Sequence, residues 1–293
     1  MKRIAGLVIV LSIAATARAQ QDFSKVEITV TKVGGAVYML QGAGGNIGVS
    51  VGEDGILVVD DQYAPLAPKI KAALKGISDK PIRLLLNTHY HGDHTGGNEI
   101  FGAEAPIIAQ ENVRKRLSSG TTTLGQVNPP SPRGALPIVT FENNVSVHLN
   151  GEEIRAVFYP HGHTDGDSVV FFTKSNVVHM GDDFFNGMFP FIDVDNGGSV
   201  MGMIASVDKV LSTLRDDAKV IPGHGPLSDK AGLAAFSKML KGTSGVISKA
   251  LREGTTPAQL KSQKAFAEWD SWSKGFLGAD RFIDMLYADL SRK

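Results

Sequence analysis

His89-Tyr90-His91-Gly92-Asp93-His94 sets three imidazoles and a carboxylate in six residues, directly after the apolar run Ile82 to Leu86. That run reads as a buried strand. In a chain that stays extended, alternate side chains point the same way. His89, His91 and Asp93 are then expected to converge, with His94 projecting to the other side. Imidazole and carboxylate suit zinc, and iron or manganese take the same ligands. Four such side chains are more than one ion easily uses. The spacing predicts two ions close together, His89 and His91 on one, Asp93 and His94 on the other. Gly92, Gly96 and Gly97 are expected to let the backbone bend tightly around them. A solvated His-rich loop is the ordinary alternative. The chain has only eight histidines, however, and three of them fall here.

The surrounding composition is that of a folded protein. The chain has 293 residues, 42% hydrophobic and 20% charged, enough for a sizeable core. Its 30 basic residues balance 30 acidic ones, and no Lys/Arg block stands out, which argues against nucleic acid as a partner. There is no cysteine. Disulfides, cysteine nucleophiles and thiolate metal sites are therefore excluded, and stability must come from packing and any bound metal. Lys2 and Arg3, the apolar stretch Ile4 to Ala17 and the small-x-small run Ala17-Arg18-Ala19 read as a signal peptide over 1–19, cleaved before Gln20. The stretch is short of the roughly 20 residues that span a bilayer. A periplasmic or secreted protein with no membrane contact after cleavage is expected. Cleavage removes Lys2, Arg3 and Arg18, leaving 27 basic against 30 acidic residues.

Strand patterns are predicted at 26–32, 36–41, 45–51, 56–60, 82–86 and 106–109, with helices at 65–76 and 110–117. Residues 118–137, rich in Ser, Thr, Pro and Gly, read as a surface loop bordering a cleft. Further strands are predicted at 145–149, 154–159, 168–172, 177–180 and 219–221. Helices are predicted at 199–214, 229–252 and 279–290. Two groups of strands, each followed by helices, suit an α/β class chain. Two sheets face each other with helices outside, a four-layer αββα sandwich formed by one domain over 20–293.

His89-Tyr90-His91-Gly92-Asp93-His94 resembles the HxHxDH signature of the metallo-β-lactamase superfamily. Gly162-His163-Thr164, Gly181-Asp182 and Pro222-Gly223-His224-Gly225 resemble its later motifs, in order, over about residues 25–230. The resemblance implies His163 as a third ligand of the first metal. It implies Asp182, rather than Asp183, as a carboxylate bridging both metals in the manner of the glyoxalase II-like branch. It implies His224 on the second metal. Asp60 falls where the family carries an acidic residue behind the ligands. The metal ligands so implied are His89, His91, Asp93, His94, His163, Asp182 and His224. His161 is expected at the surface or behind the ligands, and His148 and His179 as structural residues.

Two zinc ions per chain are expected, sharing a water whose pKa they lower toward neutrality. Asp93 is the expected catalytic residue, orienting the attacking water and passing its proton on. In the family's diiron redox members a glutamate replaces the second signature histidine. Here His91 stands there, favouring zinc and hydrolysis. The expected substrate is a small molecule, a cyclic amide or ester such as a β-lactam-like compound or a lactone. A thioesterase of the glyoxalase II-like kind without β-lactamase activity is the alternative. An iron-dependent oxidoreductase and a non-catalytic metal binder stand behind it. Asp182 occupies the place of a metal-binding cysteine in one class of true β-lactamases, which favours thioesterase and lactonase relatives. The aromatic run Phe184 to Phe191 fits either a core segment or a cleft wall.

Overall fold

The computed structural model describes residues 22–292. The signal-peptide reading of residues 1–19 lies outside the described residues. The first half of the chain supplies β1 (Thr29–Gly34), β2 (Val37–Gln41), β3 (Ile47–Gly52), β4 (Gly55–Val59), α1 (Ala67–Ile77) and β5 (Ile82–Leu86). Next come α2 (Gly92–Thr95), α3 (Asn98–Gly102), β6 (Ile107–Gln110), α4 (Glu111–Ser119), the hairpin β7 (Thr121–Thr123) and β8 (Gln126–Asn128), and β9 (Val139–Phe141). The second half gives β10 (Asn144–Leu149), β11 (Glu152–Phe158), β12 (Ser168–Phe172), β13 (Val177–His179), α5 (Val200–Thr213), β14 (Lys219–Ile221) and β15 (Ser228–Asp229). It ends in α6 (Lys230–Glu253), α7 (Pro257–Ser262) and α8 (Ala279–Leu290).

One sheet runs β1-β2-β3-β4-β5-β6-β9 and the other β10-β11-β12-β13-β14-β15. Alternation along the strands explains how they stack. In β4 every residue is buried. Leu57 and Val59 face the second sheet, packing with Ile154, Ala156, Val170 and Phe172. Ile56 and Val58 face outward onto Leu66, Ile70 and Leu74 beside and within α1. On the far side, Val169, Val178 and Val220 meet the apolar stripes of α5, α6 and α8. These three cores define the four layers, as expected. The C-terminal helices close the outer face, with Phe282 of α8 stacked on Phe189 at 4.4 Å between ring centroids. No described helix is long and apolar enough to cross a membrane.

Two features of this frame position the site. β4 and β5 pair in parallel, as do β13 and β14. Their carboxyl ends therefore open on the same rim of the sandwich, where crevices form in α/β folds. The two sheets are also tied at this rim, where Asn46 Nδ2 donates to the carbonyl of Pro222 at 2.9 Å.

Candidate metal centre

His89 and His91 follow the end of β5, Asp182 that of β13 and His224 that of β14, whereas Asp93 and His94 sit in α2 and His163 in the loop between β11 and β12. β5 runs into Asn87-Thr88-His89. His91 is the last extended residue (ψ 147°), and α2 begins at Gly92. The expectation of one extended segment therefore fails after His91. The helical turn swings His94 inward, so that it does not project away. Asp93 points toward His94 and His224 rather than converging with His89 and His91. The glycines act differently from expectation as well. Gly96 and Gly97 have φ of −65° and −84°, open to any residue. They are needed for close approach: a Cβ on Gly96 would lie 2.8 Å from the Gln62 carbonyl oxygen. Nothing crowds Gly92.

The side chains assemble into two groups, His89, His91, His163 and Asp182, and Asp93, His94 and His224, each with its ligand atoms within 4.8 Å of one another. Asp182 faces both. Its Oδ2 lies 3.4 Å from Nε2 of His163 and 3.4 Å from Nε2 of His224. Its Oδ1 lies 3.1 Å from Nε2 of His94, outside hydrogen-bonding geometry. Gly223 is required here, since a Cβ would stand 2.0 Å from Asp182 Oδ1. Asp183 turns the other way, accepting from the His163 backbone N–H at 3.1 Å and from the Ser206 hydroxyl. His161 is exposed with its Nδ1 3.0 Å from the Gly197 carbonyl oxygen, and His148 lies on the exposed face of β10. His179 is buried, with Nε2 2.9 Å from the Asn46 carbonyl oxygen.

Four of the five inner histidines, all but His224, have an outer partner that fixes which nitrogen faces the centre. Asp60 Oδ2 stands 2.7 Å from Nδ1 of His94. Asp60 is itself held by the Thr88 backbone N–H and hydroxyl, both at 2.8 Å. The Thr88 oxygen stands 3.1 Å from Nδ1 of His89, and the Phe191 carbonyl oxygen 2.8 Å from Nδ1 of His163. His91 is held by Asp193, whose Oδ2 lies 2.9 Å from Nε2 and also accepts from the Tyr90 hydroxyl at 2.5 Å. Sequence reasoning missed Asp193, which lies 102 residues from His91.

These partners leave Nε2 of His163 and Nδ1 of His91 facing each other at 2.7 Å. With both outer N–H groups engaged, the facing atoms are lone pairs, and they need a shared cation between them. Nε2 of His89 is buried without a hydrogen-bond partner. Electrostatics agree. Burial, reinforced by the His94 charge, holds His89 well below the ordinary imidazole value, and burial brings His163 down to about 4. Neutral imidazoles of this kind are metal ligands. Burial also works against the charge on Asp182, but His224, His94, His163 and His89 hold its carboxyl well below the usual range. The residues present therefore fit divalent metal ions.

Asp193→Asn tests the outer support. Losing the carboxylate behind His91 is expected to weaken divalent-metal binding at the first group by roughly 10–100-fold. Titration against a competing chromophoric chelator measures this. An unchanged affinity would remove Asp193 from the site.

The metallo-beta-lactamase superfamily profile matches residues 41–224, more than half of the chain and all seven of these side chains. The chain belongs to the metallo-beta-lactamase superfamily. Among curated relatives, it is 25% identical over 138 residues to the 2,4-dinitroanisole O-demethylase subunit alpha of Nocardioides sp. (strain JS1661), covering 46% of this chain and 40% of that protein. It is 27% identical over 152 residues to the hydroxyacylglutathione hydrolase of Prochlorococcus marinus (strain NATL1A), covering 49% of this chain and 51% of that one. The matches thus span about two-fifths to one-half of these relatives. The metallo-beta-lactamase from Pontibacter korlensis shares the fold, with a TM-score of 0.63 and 16% identity over 73% of this chain and 99% of that one.

The mouth of this superfamily site is a cleft of about 960 Å³. The segment read as a loop over 118–137 carries the hairpin β7–β8 and does border it. The aromatic run divides its labour. Phe184 is core alone, Phe185 and Phe189 are buried but reach the cleft, where Phe185 stacks on His224 (centroids 5.1 Å, 18°), and Phe191 lines the cleft.

Proposed function

We propose that the protein is an exported dinuclear zinc hydrolase that opens a small cyclic ester or amide. The observation that carries this reading is the position of Asp182, with carboxylate oxygens turned toward two separate histidine groups. His89, His91 and His163 would hold one ion and Asp93, His94 and His224 the other, with Asp182 facing both. Zinc bound there polarises the substrate carbonyl and lowers the pKa of water toward neutrality.

The remaining work falls to the chain's own residues. Asp93 opens onto the cleft, its side chain 25% exposed. Its Oδ2 accepts a hydrogen bond from the attacking water and takes up the proton. Phe185 and Phe191 wall the reacting carbonyl from bulk solvent on one side. Asp60, Thr88, Asp193 and the Phe191 carbonyl keep the imidazoles in one tautomer each, so the site needs little rearrangement during turnover.

The test is a panel of nitrocefin, a γ-lactone and a thioester against the zinc-loaded protein lacking residues 1–19, with metal analysis alongside. Turnover of the lactone or nitrocefin with two zinc per chain is expected. Failure of all three substrates, or a single iron with visible absorbance, would refute the proposal. Thioester turnover alone would move the activity to that of the hydroxyacylglutathione hydrolase relative. Export is checked by the N-terminus of the protein recovered from the periplasm or medium. It is expected to begin at Gln20, and an uncleaved chain confined to the cytosol would overturn that part.

A further inference from the structure

The cleft mouth is apolar on both sides. On one side Leu124 forms the tip of the β7–β8 hairpin in a left-handed conformation (φ 52°) and is 65% exposed. On the other, Phe276, just before α8, is 60% exposed and sits edge-on to Phe191 at 6.2 Å. Large apolar side chains left in water around a polar centre mark a binding surface. The surface continues past the mouth. A second hollow of about 290 Å³ shares Leu124, Phe191 and Phe276 with the cleft and extends over Leu277 and Met285.

Charge narrows the occupant. Arg116 is the one lysine or arginine lining the main cleft among the described residues. It is already committed, donating to both oxygens of Asp165, the shortest contact 2.7 Å, and to Asn196 Oδ1 at 3.0 Å. The other charged lining groups are acidic, Asp93, Glu99 and Asp182. Away from the metal site the main cleft offers an anionic group no free cation, and burying an unpaired carboxylate there is costly, whereas the second hollow is lined by Arg281 and Asp284.

Resting on the reading of the site as a carbonyl hydrolase, we infer that the substrate carries an aliphatic chain with no anionic group along the main cleft. That chain leaves the reacting carbonyl past Phe191, lies between Leu124 and Phe276 and runs into the second hollow. The hairpin is also tied to the centre, since the Thr123 hydroxyl donates to Asp193 Oδ2 at 3.2 Å and Asn196 Nδ2 to the Thr122 carbonyl at 2.9 Å. A chain seated against Leu124 therefore rests on an element fixed to the support of His91.

A series of γ-lactones with side chains from methyl to heptyl tests this. In the zinc-loaded protein kcat/KM is expected to rise by up to about fourfold per methylene, mainly through KM. In the double variant Leu124→Ser, Phe276→Ser the dependence on chain length should flatten. A flat series in the wild type, or an unchanged slope in the double variant, overturns the inference. Calorimetric titration of butan-1-ol to decan-1-ol tests the seat without turnover. Affinity rising with length in the wild type alone supports it even where no lactone is hydrolysed, an outcome that defeats the reaction but not the seat. Affinity independent of length overturns the seat.

Discussion

Treatment with EDTA is expected to abolish turnover and lower the melting temperature by about 10 °C, with zinc restoring both. A ligand that binds only the folded chain stabilises it by about 4 kcal/mol at a free concentration a thousandfold above Kd. In a chain of this size each kcal/mol moves the midpoint by roughly 2–4 °C. The site explains why the dependence should be strong. His89 and His163 are held neutral by burial, their lone pairs turned inward. Asp93 and Asp182 are held ionised within a few ångströms of them. Without a metal the positive charge must come from protons on His94 and His224, which burial opposes and the neighbouring carboxylates favour; the balance raises His94 well above the ordinary imidazole value and His224 to about 9. Differential scanning calorimetry with and without chelator measures the shift. A midpoint that does not move on removal of zinc would sink the ligand assignment.

The site was legible to the extent that its chemistry was local. Histidines are scarce in this chain, so the run from His89 to His94 stood out without knowledge of the fold. The later motifs each join a glycine to one polar residue, where close backbone approach is needed. What failed was direction. An extended reading of the run missed that α2 starts at Gly92, because a four-residue helix carries too few positions for a periodicity. The outer partners were less legible still. Asp193 lies in an irregular segment and meets His91 only through the tertiary fold. Among the layers, the long strands with apolar patterns were readable. The hairpin β7–β8 was not, since its residues are mostly polar and exposed, and strands of two or three residues such as β9 and β15 show no alternation to count. The C-terminal contribution was invisible for another reason. Phe276 reads as one apolar residue in a tail until Leu124 and Phe191 are brought beside it.

Replacing Asp93 with asparagine should reduce kcat by roughly 10²–10⁴-fold, the usual contribution of a positioned proton acceptor. The substitution keeps the shape and one oxygen but removes the charge and the basic site. Wild-type Asp93 is secured as a carboxylate: burial works against its charge, but His94 and His224 outweigh it and hold the carboxyl well below its ordinary range. Its place at the cleft wall means the change should cost little packing, so the melting temperature of the zinc-loaded variant should stay near the wild-type value. KM should change far less than kcat, because water activation is lost while the apolar walls that seat the substrate remain. Zinc content separates the two roles assigned to this residue. Two zinc per chain with a collapsed kcat identifies proton acceptance as the main loss. One zinc per chain with the same collapse identifies Asp93 as a ligand of the second ion above all. Two zinc and an unchanged kcat would refute both roles and leave the attacking water to be oriented by another group on the rim.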